Sequence, residues 1–456
     1  REAMRGDDMV GRRDQSSGRD AADRLAAARR AARLRLALGC APLWIGLAFP
    51  IPALAASVEF NGSESAGSEQ ITANDGDSVR FNDTSTADQA NIITNSGGSS
   101  YFYDDSTAAD AILTNNGTGS LSFGDNSTAG NSTIVNNGGA SLGFSGTATA
   151  GTAKVTNNGT TLFSGSSTAG GATFVTNASG TLTFADDSTA GTSKLTVNGK
   201  MEFTDASSAD AAEITNNTTG VVDFLDASTL SSASLNNSGI VNFSGSSRAG
   251  IATLTNNATG AIIFSEQASL DAVALLSNSG QVTFKGSSTA GTGFVANNEG
   301  GSIVFTETST AGSSRIGNSG SVSFSGSSSA GSSDLINNLG SAIAFSGDST
   351  AAQSTINNAG TLAFSGSSSA GEAKITTGGG GLTTFAGNAS GGTAYLIADQ
   401  GATVDFSQVT SGISVGTIEG AGTFRLGGKV LTVGSGNLST TVDGVIEDGG
   451  IGGGTG

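Results

Sequence analysis

Leu162 to Phe184 reads L-F-S-G-S-S-T-A-G-G-A-T-F-V-T-N-A-S-G-T-L-T-F, and this stretch decides the fold. Phe163 stands near its start and Phe184 closes it, and an apolar residue, Leu182, stands two positions before the second Phe. Alternation of that kind marks a strand with one face buried. A turn of small residues, S-G-S-S-T-A-G, follows the first Phe, and a second short apolar run then ends on Asn. The same plan repeats along most of the chain. At the same position of the repeat Phe recurs 18 times from Phe60 to Phe406, which is 346 positions in 17 steps. Between Phe123 and Phe385 the steps mostly alternate between 21 and 19 residues. An apolar residue stands two before the Phe in 15 of the 18 units, and Asn-Asn pairs such as 115/116, 216/217 and 337/338 close the second run.

Two short strands and two turns in about twenty residues cannot bury a core alone. Stacked, they pair every backbone group with the unit above and below, setting Phe on Phe and Asn on Asn in amide ladders. The expected fold is all-β, a parallel β-helix (β-solenoid) of about 18 coils of roughly 20 residues, on the order of 85 Å long at about 4.8 Å per coil. No Pro occurs after residue 52, as central strands require, because each must donate its N–H. Gly/Ser-rich linkers lack such a register, so disorder is the weaker reading. Stability must belong to the stack, with ends protected; Glu59, Glu64 and Glu69 in the first coil would discourage edge-on association.

Composition excludes several functions. The 456 residues carry 20 basic and 38 acidic side chains and no His, for a net charge of −18. Without imidazole there is no His-based acid–base catalysis and little zinc chemistry. Without clustered Lys and Arg there is no nucleic-acid surface.

Residues 1–55 are of another kind. All three Pro, the only Cys (Cys40), the only Trp and ten Arg lie there. An Arg-rich stretch, Arg24 to Arg35, precedes an uncharged apolar run from Leu36 to Ala55 that ends Ala53-Leu54-Ala55. This is the plan of a signal peptide cut after Ala55. A membrane-spanning helix is the alternative, but Pro50 and Pro52 would break it. Cys40 reads as an inert residue of the apolar run, and Arg5-Gly6-Asp7, an integrin-type tripeptide, would leave with the leader. The remaining 401 residues carry 10 basic and 32 acidic side chains, net −22, and no Cys.

After Phe406 the pattern changes. Ile418 to Gly427 reads I-E-G-A-G-T-F-R-L-G, and Leu431 to Gly450 reads L-T-V-G-S-G-N-L-S-T-T-V-D-G-V-I-E-D-G-G. This segment, about 40 residues, resembles the passenger region of bacterial autotransporters, and the upstream Phe/Asn repeats are similar to repeats in such passengers. The resemblance implies type V secretion of a right-handed parallel β-helix from a Gram-negative bacterium. It also implies an outer-membrane β-barrel, expected beyond Gly456 because no barrel strands occur before it. The expected organisation is 1–55 leader, 56–406 solenoid and 407–456 passenger-type strand segment.

Sites for chemistry are sparse. Gly412-Ile413-Ser414-Val415-Gly416 spells a nucleophile-elbow string, and Gly347-Asp348-Ser349 resembles part of a serine-protease string, but neither has a base. Asp104-Asp105, Asp186-Asp187 and Asp226 would bind Ca²⁺ weakly at best; no calcium-loop spacing repeats, and solvated turn charge is expected. No catalytic, cofactor-binding or metal-ligating residue is assigned. The expected function is a surface-displayed adhesin-like or structural stalk that contacts host or neighbouring cell surfaces. A secreted β-helix enzyme or a self-associating solenoid is the alternative. An ice-binding face would need a regular T-x-T strand, which is missing.

Overall fold

In each coil the polypeptide runs through three parallel ladders and closes a narrow core. The computed structural model describes residues 56–271 and 275–455, all strand, turn or irregular backbone. The first ladder holds the Phe strands, four residues each from Ser57–Phe60 to Thr361–Phe364, then longer at Leu382–Gly387 and Thr403–Val409. Each pairs in register with its successor, as Ser57–Phe60 does with Ser78–Phe81 and Ile240–Phe243 with Ala261–Phe264. The second ladder holds the strands that end on Asn, for example Lys154–Asn157 on Thr133–Asn136. The stack is thus a β-solenoid of about 18 turns, as the Phe period requires.

A third ladder departs from the expected two strands per coil. The Thr of S-S-T-A forms a one-residue parallel bridge with its equivalent in the next coil, from Ser65↔Thr86 to Ser369↔Ser390. It folds the turn back along the axis. Its Ser and Ala neighbours point inward: Ser188, Ala190, Ser247 and Ala249 are buried. Small side chains suit this corner because the wall there lies closest to the core.

The interior is read directly from the alternation. The column residues from Phe81 to Phe406 are all buried, and their ring centroids from Phe60 to Phe385 lie 4.5–4.9 Å apart with interplanar angles of 2–11°. Strand spacing of about 4.8 Å dictates that separation, and rings inclined to the axis meet it as offset stacks. Where the apolar residue two before Phe is replaced, the core compensates at two positions of three, while the Thr161 hydroxyl is buried without a partner. Ser100 bonds Thr94 at 2.6 Å and Thr383 bonds Thr377 at 2.7 Å across the coil.

Buried Asn forms the predicted amide ladder, and its direction is uniform. Within each segment Nδ2 donates to Oδ1 of the following coil at 2.7–3.0 Å, as in Asn115→Asn136 and Asn297→Asn318, and also to a carbonyl of the Phe strand that follows that second Asn, Ser141 and Ser321 in these two cases. Thr176 and Val197 interrupt the column. Accordingly the first oxygen of each segment, Asn115 Oδ1 and Asn216 Oδ1, is left without a donor. The second Asn of the early pairs forms an outer ladder of opposite direction: Asn137 Nδ2 donates back to Asn116 Oδ1 at 2.8 Å, and Asn177 to Asn158 at 2.8 Å.

The alternating steps also have a cause. The connection from the Asn column to the next Phe is long in one coil and two residues shorter in the next, as in Thr176–Phe184 against Val197–Phe203. That corner is therefore serrated, with projecting turns two coils apart and recessed turns between them. Gly199 occupies one recessed turn, where a Cβ would lie 2.2 Å from the Asn177 carbonyl oxygen.

The Phe column ends where the repeat ends. A bulge between Thr384 and Ala386 shifts the register, and the Phe385 and Phe406 rings sit 5.3 Å apart, tilted by 31°. Phe424 then pairs with Val404 instead of Phe406. Thr423–Arg425 and Val445–Glu447 still extend the same sheet, while Ile413–Val415 pairs with Leu431–Val433 in a separate ladder.

Candidate functional site

The two nucleophile strings are structural. Ser414 lies in the middle of the short strand Ile413–Val415, exposed on its outer face, with no strand-to-helix elbow. Ser349 is fully buried and its Oγ donates to the Phe324 carbonyl at 3.2 Å, so it presents no nucleophile to solvent. Gly347 holds the left-handed turn position at φ 65°. Arg5-Gly6-Asp7, Cys40 and the cleavage position after Ala55 lie outside the described residues.

The turn acids Asp104, Asp186 and Asp226 are exposed, and besides carrying solvated charge they also close turns. All three occupy the left-handed position after the Phe strand, at φ 54–56°, a conformation that Gly and Asp tolerate best. Their carboxylates take the N–H of the same turn one coil earlier: Asp104 from Asp83 at 2.9 Å, Asp186 from Gly165 at 2.8 Å, Asp226 from Asp205 at 3.2 Å. A Gly cannot supply that acceptor, so an acid closes a turn that would otherwise rely on water. Among the described residues no three His, Cys, Asp or Glu side chains converge to hold a metal ion.

Among the described residues five of the ten cations after residue 55 pair with an acid in the following coil, and Lys200 pairs also with one in its own strand. Lys194–Glu213, Arg315–Asp334 and Arg425–Glu447 are simple register partners, exposed and at 3.0–3.4 Å. Such surface pairs contribute at most about 1 kcal/mol each.

Lys200 is different. Its Nζ lies 2.5 Å from Glu202 and 3.6 Å from Asp223, and Asn242 Nδ2 donates to Asp223 Oδ1 at 2.7 Å. Glu202, Asp223 and Asn242 occupy the same outward position in three successive Phe strands, so the stack itself lines them up. The hydrogen bond from Lys200 to Glu202, outweighing burial, raises the ammonium's pKa above the usual lysine value and keeps it charged. The recessed turn at Gly199 opens above this row, between the projecting turns at Ser179 and Thr219. Together they bound a notch of about 450 Å³ whose lining includes Lys200, Asp223 and Asn242. Sequence reading missed it. The available signal was a run of polar residues immediately before Phe203, Phe224 and Phe243, beside a 19-residue step.

One further buried group escaped notice. Asp405 is 1% exposed and accepts from Ser407 N at 2.8 Å, Ser407 Oγ at 2.6 Å and Ile451 N at 2.9 Å. It fastens the Gly-rich segment at 450–452 against the last regular coil, and Gly450 allows that approach because a Cβ would meet the carboxylate at 2.7 Å.

No protein family and no curated protein matches the chain. Among solved structures, the crystal structure of a TibC-catalysed hyper-glycosylated TibA fragment aligns with it at 12% identity and a TM-score of 0.30, covering 88% of this chain and 98% of that one.

Proposed function

We propose that this protein is an exported passenger that stands on the bacterial surface as an adhesin-like stalk, recognising surfaces instead of catalysing a reaction. The observation that supports it most directly is uniformity. The same ladders repeat from coil to coil through residues 57–406, presenting Ser, Thr and Asn outward at equivalent positions. Contacts to such a surface are weak per coil and strengthened by repetition. The outer membrane is the first partner, through a β-barrel encoded beyond Gly456, and host or neighbouring cells are the second. Fixed spacing along the rod axis gives reach, and the acidic excess keeps rods apart in solution.

The test is display of the whole gene product. Protease added to intact cells should remove the solenoid. Deleting coils between Phe123 and Phe364 in pairs, sparing those that hold Lys200, Asp223 and Asn242 and preserving the alternation of long and short turns, should shorten the rod and lower adhesion gradually. A chain retained in the cytoplasm would overturn the reading.

A further inference from the structure

We propose that the notch above Gly199 is a discrete binding site for an uncharged, hydroxyl-rich ligand, a neutral sugar unit of a glycan. The inference rests on the adhesive reading and adds to its distributed contacts one coil with a specific contact.

The notch is one of a series, and its floor is what sets it apart. In the recessed turns at Gly280, Gly320 and Gly360 the two floor positions hold Gln281 and Thr283, then Ser321 and Ser323, then Thr361 and Ala363. Here the equivalent residues are Lys200, which lines the notch, and Glu202, which pairs with it, and Asp223 and Asn242 follow in the lining from the next two coils. The notch, about 450 Å³, is open to solvent and similar in size to hollows at ordinary turns, so its polar row and not its volume distinguishes it.

Charge decides the ligand class. Two carboxylates flank the ammonium, so an anion would meet repulsion on both sides. The ammonium in turn occupies the position a divalent cation would need between those carboxylates. An uncharged ligand with several hydroxyls fits both constraints. Hydroxyls donate to carboxylate oxygens and accept from the ammonium and the amide, and a hydrogen bond to a charged group contributes about 1.5–3 kcal/mol. The row also extends along the axis in steps of about 4.8 Å, offering successive partners to an elongated molecule. The walls add Ser179 and Thr219, whose hydroxyls donate to the carbonyls of Asn158 and Asn198 at 3.0 and 2.8 Å and so hold the projecting turns in place.

The experiment uses the secreted chain on a printed array of neutral and carboxylated oligosaccharides, with titration calorimetry on the best neutral oligosaccharide. Asp223→Ala and Lys200→Met should each weaken binding at least about tenfold, the loss of one charge-assisted bond. Gln281→Ala, at the equivalent floor position of another notch, should leave binding unchanged. Circular dichroism of each variant should match the parent, since both substituted side chains are on the outer face. The proposal is overturned if no neutral oligosaccharide is retained, if only carboxylated ones are, or if Asp223→Ala binds as the parent does. A protein displayed on cells yet silent on the array refutes the site alone. Binding on the array by a protein never displayed refutes the stalk and leaves the site standing.

Discussion

Replacing Asn278 with Val should destabilise the middle of the stack far more than the same change at Asn216, although both residues are fully buried. Asn278 Oδ1 accepts from Asn256 Nδ2 at 2.8 Å, and its own Nδ2 donates to Asn297 Oδ1 at 2.8 Å and to the Ser302 carbonyl at 3.2 Å. Valine removes two ladder bonds and strips Asn297 Oδ1 of the ladder donor it receives from the preceding coil. At about 1 kcal/mol per net bond and about 1–3 kcal/mol for the orphaned acceptor, the cost is roughly 3–5 kcal/mol. Asn216 starts its segment, and its Oδ1 already lacks a donor. Valine there removes the bond to the Ile240 carbonyl and one ladder bond, to Asn237, whose Oδ1 keeps the Gly239 N–H at 3.1 Å. It also removes an existing unpaired oxygen, so the expected cost is about 1 kcal/mol or less. Val197 already fills this position one coil earlier. A long solenoid need not unfold in one step, so the assay is native-state hydrogen exchange. Amides of Gln281–Phe284 and Ser302–Phe305 should exchange at least about a hundredfold faster in Asn278→Val, and those of Ile240–Phe243 less than about tenfold faster in Asn216→Val. Equal acceleration in the two variants would refute the directional ladder and leave each amide acting only through its own backbone contacts.

Phe243→Ala removes a buried ring stacked at 4.7 Å on both Phe224 and Phe264, and should cost about 3–5 kcal/mol by denaturation. Ser246→Ala, on the adjoining exposed turn, should change stability by less than about 0.5 kcal/mol. The Asp77 carboxylate accepts from Ala56 N at 2.8 Å and from Asn74 N at 3.0 Å, and the Ala56 bond first, then the Asn74 bond, lowers its pKa below the usual Asp value. The folded pKa is depressed, so its contribution is present above the ordinary Asp range and is lost as pH falls through the lowered value. Exchange protection at the first turn should therefore hold from neutral pH to about pH 4 and fall below it, and Asp77→Asn should abolish that pH dependence. Cleavage after Ala55 would place a new ammonium at this carboxylate, so N-terminal sequencing of exported protein should read Ala56.

Most of the interior was legible because its period is strict. A Phe column and an Asn column at fixed offsets leave one way to stack parallel strands, and the aliphatic residue two before each Phe states which face is buried. The third ladder was not legible, since a one-residue bridge has no alternation to display; Thr168 looks like any turn residue until Thr149 and Thr189 lie beside it. Ladder direction was equally hidden. Asn115 and Asn116 are the same residue type, and only the inward or outward aim of each side chain assigns one to the core and the other to the turn. The acids of the turns and the row at Lys200, Glu202, Asp223 and Asn242 belong to the same class of fact. Apart from Lys200 and Glu202, which share a strand, they are single polar residues about twenty positions apart in sequence, and stacking brings them within hydrogen-bonding reach. The repeat thus specified the architecture through local pattern, whereas which polar groups meet was decided by the registry between coils, a property of the assembled stack that no single coil contains.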